Sequence, residues 1–300
     1  MYWIFFAIAA PALYAISNFV DKFIIEKYIK NFATLTILGG FVALPFALTI
    51  LVLRDFPIYR LDQTILIILA GIFMELALLP YFKAISLDDV SRVVPVFQLI
   101  PILILILSFF LLGERLNSFQ FLGFWLVIGG SYLISLNKLG QGMFNLRRSF
   151  VWIILASILW AISTVIFKFV SIEQGFWDTM AYEFLGATIG AFVLLLVPNF
   201  RKKIFTETKT VKNYVWGILI SNEALYLFAR LIGFYAIAIA PAISLAAALN
   251  GIMPFFSLIY GLILSVRFPY IIKEDISRST ILLKLTAIIL IFIGVWFINV

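Results

Sequence analysis

Two stretches of the chain carry nearly the same text, "LYAISNFVDKFI" at Leu13–Ile24 and "LWAISTVIFKFV" at Leu159–Val170. Six of their twelve aligned positions are identical, and the second stretch begins 146 residues after the first. A second pair of stretches, Val90–Ile104 and Ile243–Ser257, aligns at the nearly equal offset of 153, with a serine on a serine and a proline on a proline. Two matches at similar offsets indicate an internal duplication.

The composition indicates a membrane protein. Of the 300 residues, 64% are hydrophobic and 12% are charged, and the mean hydropathy is +1.13. Soluble domains are about half apolar and about a quarter charged. The net charge of +7 does not indicate nucleic-acid binding, because the basic residues lie in short gaps between apolar runs, where they set membrane topology.

The chain contains neither Cys nor His, which excludes thiolate or imidazole metal sites and histidine base catalysis. It also has no phosphate-binding loop. We therefore expect no metal, no cofactor and no catalytic residues. A membrane-embedded enzyme is the alternative from another class, and its best acidic cluster is Asp88-Asp89. A sensor or scaffold is a further alternative, but it would need neither the duplication nor polar groups at midmembrane.

Apolar runs predict the spans, because a transmembrane helix needs about 20 mostly apolar residues. Ten segments qualify: 2–21, 33–53, 64–83, 90–112, 118–136, 150–170, 177–198, 213–237, 240–265 and 280–299. The predicted fold is an all-α integral membrane protein with ten transmembrane helices. The basic gap at 199–213 is expected to be a solvated loop.

The duplication divides the ten helices into two repeats, 1–140 and 149–300, of five helices each. An odd number of helices makes the two halves enter the membrane from opposite sides, which gives inverted repeats. This architecture places a substrate site near the midplane, between the halves. Because the duplication lies within one chain, a monomer is sufficient.

The stretch from Tyr81 to Ser135, which includes "YFKAIS", "PVFQLIPILI" and "GFWLVIGGSYLIS", resembles the EamA-type branch of the drug/metabolite transporter superfamily. So do the five-plus-five plan, the first helices ending in Lys22 and Lys168, and the turn at Gly113–Leu116. The second half departs from the pattern, with "SVRFPYIIKEDIS" where this turn should recur. The resemblance implies transport of small metabolites without ATP hydrolysis, and it does not identify the cargo.

Four ionisable residues within predicted spans are candidates for substrate binding or coupling, because such residues are costly in a membrane. They are Glu75, Glu183, Glu223 and Arg230. Glu223, Tyr226 and Arg230 share one helical face, which favours a cavity lining. The alternative is that Arg230 neutralises a buried carboxylate and holds helices together.

The acids have two interpretations each. Glu75 has no basic neighbour on its helix before Lys83, so it is suited to exchanging protons near neutral pH, and the alternative is a protonated group with a packing role. Glu183 lies nearer the membrane edge, where snorkelling is the alternative to coupling. Lys22 and Lys168 are expected to snorkel to the interface.

Three amides complete the candidates. Asn18 lies on the first helix, and Gln98 and Asn250 precede Pro101 and Pro254 by three and four residues. Proline frees a backbone carbonyl in a membrane helix, so an amide beside it favours either a shared central site or a packed kink.

These features predict a secondary active transporter in the cytoplasmic membrane that moves a small polar or amphipathic metabolite by alternating access, with protons or another ion as the coupling partner. Arg230, Asn18 and Asn250 favour an amino-acid-like cargo. The alternative is a multidrug or cation exporter, whose site would be apolar and aromatic with one essential acid.

The distribution of charge predicts the orientation. Most lysines and arginines lie in the gaps after odd-numbered helices, which places both termini outside the cytoplasm. The family resemblance implies cytoplasmic termini.

Overall fold

A computed structural model describes residues 2–29, 31–87, 94–135, 148–209, 211–267 and 278–299. Within these ranges the regular structure is helical, without a strand. The predicted all-α class is therefore confirmed.

The first half contains six α-helices and a short 3-10 helix. The α-helices are α1 (Tyr2–Lys27), α2 (Phe32–Leu53), α3 (Leu61–Leu76), α4 (Leu78–Leu87), α5 (Leu99–Leu112) and α6 (Ser118–Ser135), and the 3-10 helix is Val94–Gln98. The described part of the second half contains α7 (Arg148–Gln174), α8 (Phe176–Leu195), α9 (Pro198–Thr208), α10 (Asn213–Ile239), α11 (Ile243–Asn250), α12 (Met253–Arg267) and α13 (Arg278–Asn299).

Eight of the described segments are long and apolar enough to cross a membrane, and two shorter apolar helices, Val96–Leu112 and Ser118–Ile134, accompany them. The helices α3 and α4 combine into one span, Leu61–Ala84, and α11 and α12 into another, Ile243–Ile263. Each segment expected from the sequence thus overlaps a helix. The number of ten crossings and their inversion stay predictions.

The expectation of a loop at 199–213 is wrong for most of its length, since α9 occupies Pro198–Thr208. Proline at the first helical position is compatible with a helix start, because its missing N–H would have no partner there. Ile204 is buried, whereas the basic residues 201–203 are exposed. The gap is therefore a helix with a small apolar contact.

The principal helix contacts join the two halves. The helix α6 packs on α13, and α2 packs on α8. The helix α1 contacts α10 and α12, and its repeat counterpart α7 contacts α3 and α5. These pairings are those expected when equivalent helices of a duplicated chain exchange partners.

Glycine permits the closest of these approaches. Gly71 of α3 and Gly186 of α8 meet so tightly that a Cβ on either residue would overlap backbone of the other helix. A Cβ on Gly71 would overlap the Glu183 carbonyl oxygen and lie 2.8 Å from the Ala187 nitrogen. Small residues commonly bring membrane helices together in this way.

We expect Gly71→Ala to lower the free energy of unfolding by about 1–3 kcal/mol, because the methyl group forces α3 and α8 apart. Gly217→Ala is the matched control, since nothing lies within 4 Å of a Cβ at that position. Thermal unfolding in detergent micelles measures both variants. Equal stability of the two would contradict the close packing of α3 on α8.

Candidate functional site

A cavity of about 240 Å³ lies between the two halves. Its walls come from α1, α3–α5 and the 3-10 helix of the first half and from α7 and α10–α12 of the second. Of the predicted site residues, the structure brings four to this cavity: Asn18, Gln98, Tyr226 and Asn250.

Aromatic rings form much of the lining. Tyr81, Phe97 and Trp160 make a mutual cluster with ring centroids 5.3 to 5.7 Å apart. Tyr14 and Tyr226 form a second pair at 5.4 Å. The cavity therefore presents several ring faces to an occupant.

The amides on the lining are only partly satisfied. Gln98 Nε2 donates to the Gly251 carbonyl at 3.0 Å, at the break between α11 and α12, so this amide does stabilise a kink. Its Oε1, the Oδ1 of Asn250 and the indole Nε1 of Trp160 are buried without a hydrogen-bond partner among the described residues. Asn18 Nδ2 donates to the weak acceptor Met253 Sδ at 3.2 Å. These groups remain available to a bound molecule.

Asp21 is the one Asp, Glu, Lys or Arg among the described lining residues. Its Oδ1 accepts a hydrogen bond from Asn222 Nδ2 of α10 at 2.7 Å. Asp21 is not among the site residues predicted from the sequence. Its spacing of three from Asn18 puts both residues on one helical face, and this signal could have identified it.

Arg230 and Glu183 form a buried ion pair instead of lining the cavity. Arg230 Nη2 donates to Glu183 Oε1, and the side chains are 1% and 0% exposed. Arg230 also lies 5.5 Å from the ring centroid of Phe184. The expected cavity role of Arg230 is thus replaced by its alternative, a helix-to-helix ion pair, and Glu183 does not snorkel.

Glu75 and Glu223 lie against consecutive glycines of α2. A Cβ on Gly39 would lie 3.0 Å from Glu223 Oε2, and a Cβ on Gly40 would lie 3.2 Å from Glu75 Oε1. Glu75 is 3% exposed, and its Oε1 has no hydrogen-bond partner among the described residues. Neither acid is among the described residues that line the cavity.

Lys168 does not snorkel either. Its ammonium group is buried and donates to the carbonyl oxygens of Ile237, Ala238 and Ala240, at 2.8 to 3.1 Å. The side chain of Lys22 and the pair Asp88-Asp89 lie outside the described residues.

Polar contacts tie the halves together at both ends of the bundle. At one end, Arg54 Nε donates to Asp178 Oδ1 of α8 at 2.8 Å, and the Tyr59 hydroxyl donates to the same carboxylate. Burial, together with this hydrogen bond, raises the pKa of the Tyr59 phenol, so it keeps its proton at neutral pH. At the other end, Thr34 Oγ1 donates to Glu207 Oε2 at 2.6 Å.

The comparisons with known proteins agree with this fold. The model of the EamA-like transporter family matches residues 1–136. This part of the chain is similar to that family, so the resemblance inferred from the sequence is confirmed over the matched residues.

One solved structure, described only as the crystal structure of a protein, superposes with a TM-score of 0.69. The superposition covers 98% of this chain and 94% of the other at 17% identity, so it supports the fold over both halves and nothing about the cargo. No curated protein matches the sequence significantly.

We expect Glu183→Gln to destabilise the protein by about 3–5 kcal/mol, because Arg230 then lacks its buried counter-charge. The double variant Glu183→Gln/Arg230→Met should lose less unfolding free energy than the sum of the losses in the two single variants. Unfolding by SDS titration of the wild type, the two single variants and the double variant gives the stabilities needed for this double-mutant cycle. Arg60→Gln, which breaks an exposed ion pair with Asp62, is the control and should behave as wild type. Additive effects would mean that the pair is not coupled.

Proposed function

We propose that the protein is a proton-coupled secondary transporter that moves a small amphipathic metabolite carrying a cationic amine across the cytoplasmic membrane. The observation that carries this proposal is the aromatic cavity, in which Asp21 is the one acidic or basic residue among the described lining residues. Aromatic faces together with a carboxylate recognise organic cations, through cation–π attraction and direct charge pairing.

The placement of Arg230 supports a cationic cargo over a zwitterionic one. An amino-acid-like zwitterion needs a positive partner for its carboxylate, and Arg230 was the candidate. Its guanidinium is instead paired with Glu183 behind the cavity wall. The free oxygens of Gln98 and Asn250 are hydrogen-bond acceptors, which suit the N–H groups of an amine.

Alternating access is supported by the duplication and by the cavity's position. We propose that the repeats 1–140 and 149–300 rock against each other around this cavity, with a single chain as the transporting unit. Helix pairs such as α1–α10 and α3–α7 bring equivalent surfaces of the halves together. In transporters built from repeats, the substrate site lies at such an interface.

Glu75 and Glu223 are the proposed coupling residues. Glu75 is buried and Glu223 is partly exposed, and both carboxyl groups lie against the Gly39-Gly40 pair of α2. Acidic residues within membrane helices often form the proton relays of transporters. Proton gain and loss there would change how α2 packs against its neighbours, and α10 connects Glu223 to Asn222 and Asp21.

Uptake of benzyltrimethylammonium into proteoliposomes loaded with a pH-sensitive dye tests coupling. This aromatic cation is permanently charged, so it moves no proton by crossing the bilayer itself. We expect its uptake to drive proton flux in the wild type and in Asp62→Asn, an exposed-acid control, and the flux to be lost in Glu75→Gln or Glu223→Gln. Uptake without proton flux in every variant would indicate a facilitator or another coupling ion. The absence of any uptake by folded protein would favour a sensor or an enzyme.

Asp21→Asn tests the cargo class. The change removes the negative charge and preserves the size of the side chain. A hydrogen bond to Asn222 remains feasible. We expect the affinity for benzyltrimethylammonium to fall about tenfold or more, as loss of a desolvated charge pair requires. Equilibrium binding in detergent measures this affinity, and phenylalanine serves as the zwitterionic comparison. Tighter binding of phenylalanine than of the cation by the wild type would reverse the proposed cargo class.

A further inference from the structure

The connector Ala240–Ala242 joins α10 to α11 and contains Pro241. The end of a helix leaves carbonyl oxygens without intrahelical partners, and the start of a helix leaves N–H groups unpaired. In apolar surroundings these groups must find other partners. The connector therefore requires side chains from elsewhere to satisfy its backbone.

Lys168 of α7 satisfies the end of α10. Its ammonium nitrogen lies 3.0 Å from the Ile237 oxygen, 2.8 Å from the Ala238 oxygen and 3.1 Å from the Ala240 oxygen. An ammonium group has three N–H donors, so all of them are used. The positive charge also lies at the negative end of the helix dipole.

Glu114 satisfies the start of α11 from the opposite half of the molecule. Its Oε1 accepts a hydrogen bond at 2.7 Å from the backbone nitrogen of Ile243, the first residue of α11. Glu114 belongs to the tight turn between α5 and α6, which Gly113 makes possible with a φ of 68°. A carboxylate is favourable at this positive end of a helix.

The same region bounds the cavity. Ile237 and Phe234 line it, and the carbonyl of Ile237 is one of the three that Lys168 binds. The ring of Phe167, next to Lys168 on α7, lies 4.3 Å from that of Phe234, and Phe176 continues the aromatic packing. The contacts of Lys168 thus hold the end of α10, where Ile237 is the last residue of this helix in the described lining.

We propose that Glu114 and Lys168 form a lock on the Ala240–Ala242 connector that closes this end of the cavity and must open when cargo passes there. The two side chains are positioning residues and touch no cargo in this conformation. The proposal rests on the proposed function, because a closed end has consequences only in a carrier. It also assigns a role to the turn that carries the family resemblance: Glu114 of the EamA-like half controls a connector of the other half.

Accessibility of a cysteine on the connector tests the lock. The chain has no cysteine of its own, so Ala242→Cys, at a position only 6% exposed, provides a single reporter. We expect Lys168→Met and Glu114→Ala each to raise the rate of maleimide labelling of purified protein about tenfold or more, since each removes a charged hydrogen-bonding partner. Glu114→Gln, which keeps an oxygen acceptor, should label close to the reporter background.

Lys202→Met is the matched control, because this lysine of α9 is exposed and remote in sequence from the connector. Thermal unfolding of each variant separates local opening from general loss of structure. Unchanged labelling in Glu114→Ala, or in a folded Lys168→Met, would reduce these residues to static helix caps and overturn the lock. Labelling needs no cargo, so a failure of the transport assay would not change the labelling result. A failure of the labelling test would likewise leave the transport result unchanged.

Discussion

Charged groups that cannot reach water must be paired within the protein, and this constraint organises the middle of the molecule. Arg230 and Glu183 meet their requirement through each other, across α10 and α8. Lys168 meets it with three backbone carbonyl oxygens. Because desolvated charges are costly when they lose a partner, these contacts specify which helices adjoin. The same requirement applies to Glu75, whose Oε1 has no hydrogen-bond partner among the described residues.

Small residues make room for buried acids and for close helix packing. The glycines of α2 provide the space in which Glu75 and Glu223 lie, and Gly71 and Gly186 bring α3 and α8 close enough for backbone contact. Lipid does not drive apolar surfaces together as water does, so close packing supplies much of the association energy. The charged and the glycine-rich positions of these helices therefore depend on one another.

Much of the fold was predictable because apolar runs of spanning length indicate helices directly. The repeated stretches in turn indicate a duplication. Asn18, Gln98, Tyr226 and Asn250 were expected to line a cavity because they are polar residues within apolar helices, and the structure places all four in one lining. The placement of Arg230 was not predictable from its helical face. Periodicity on one helix gives a direction, but it does not say which neighbouring helix lies in that direction.

The same limit explains the cases of Lys168 and Asp21. A lysine near the end of an apolar helix is expected to extend toward water, and only the packing of α7 against the end of α10 gives its ammonium group closer acceptors. Asp21 lies near the end of the predicted span, so it too would be expected to extend toward water. In the structure, Asn222 of α10 lies beside it and the cavity extends to it. In both cases the partner comes from about 70 or more residues away in the chain. Long-range contacts of this kind convert residues typical of an interface into a helix lock and a cavity acid.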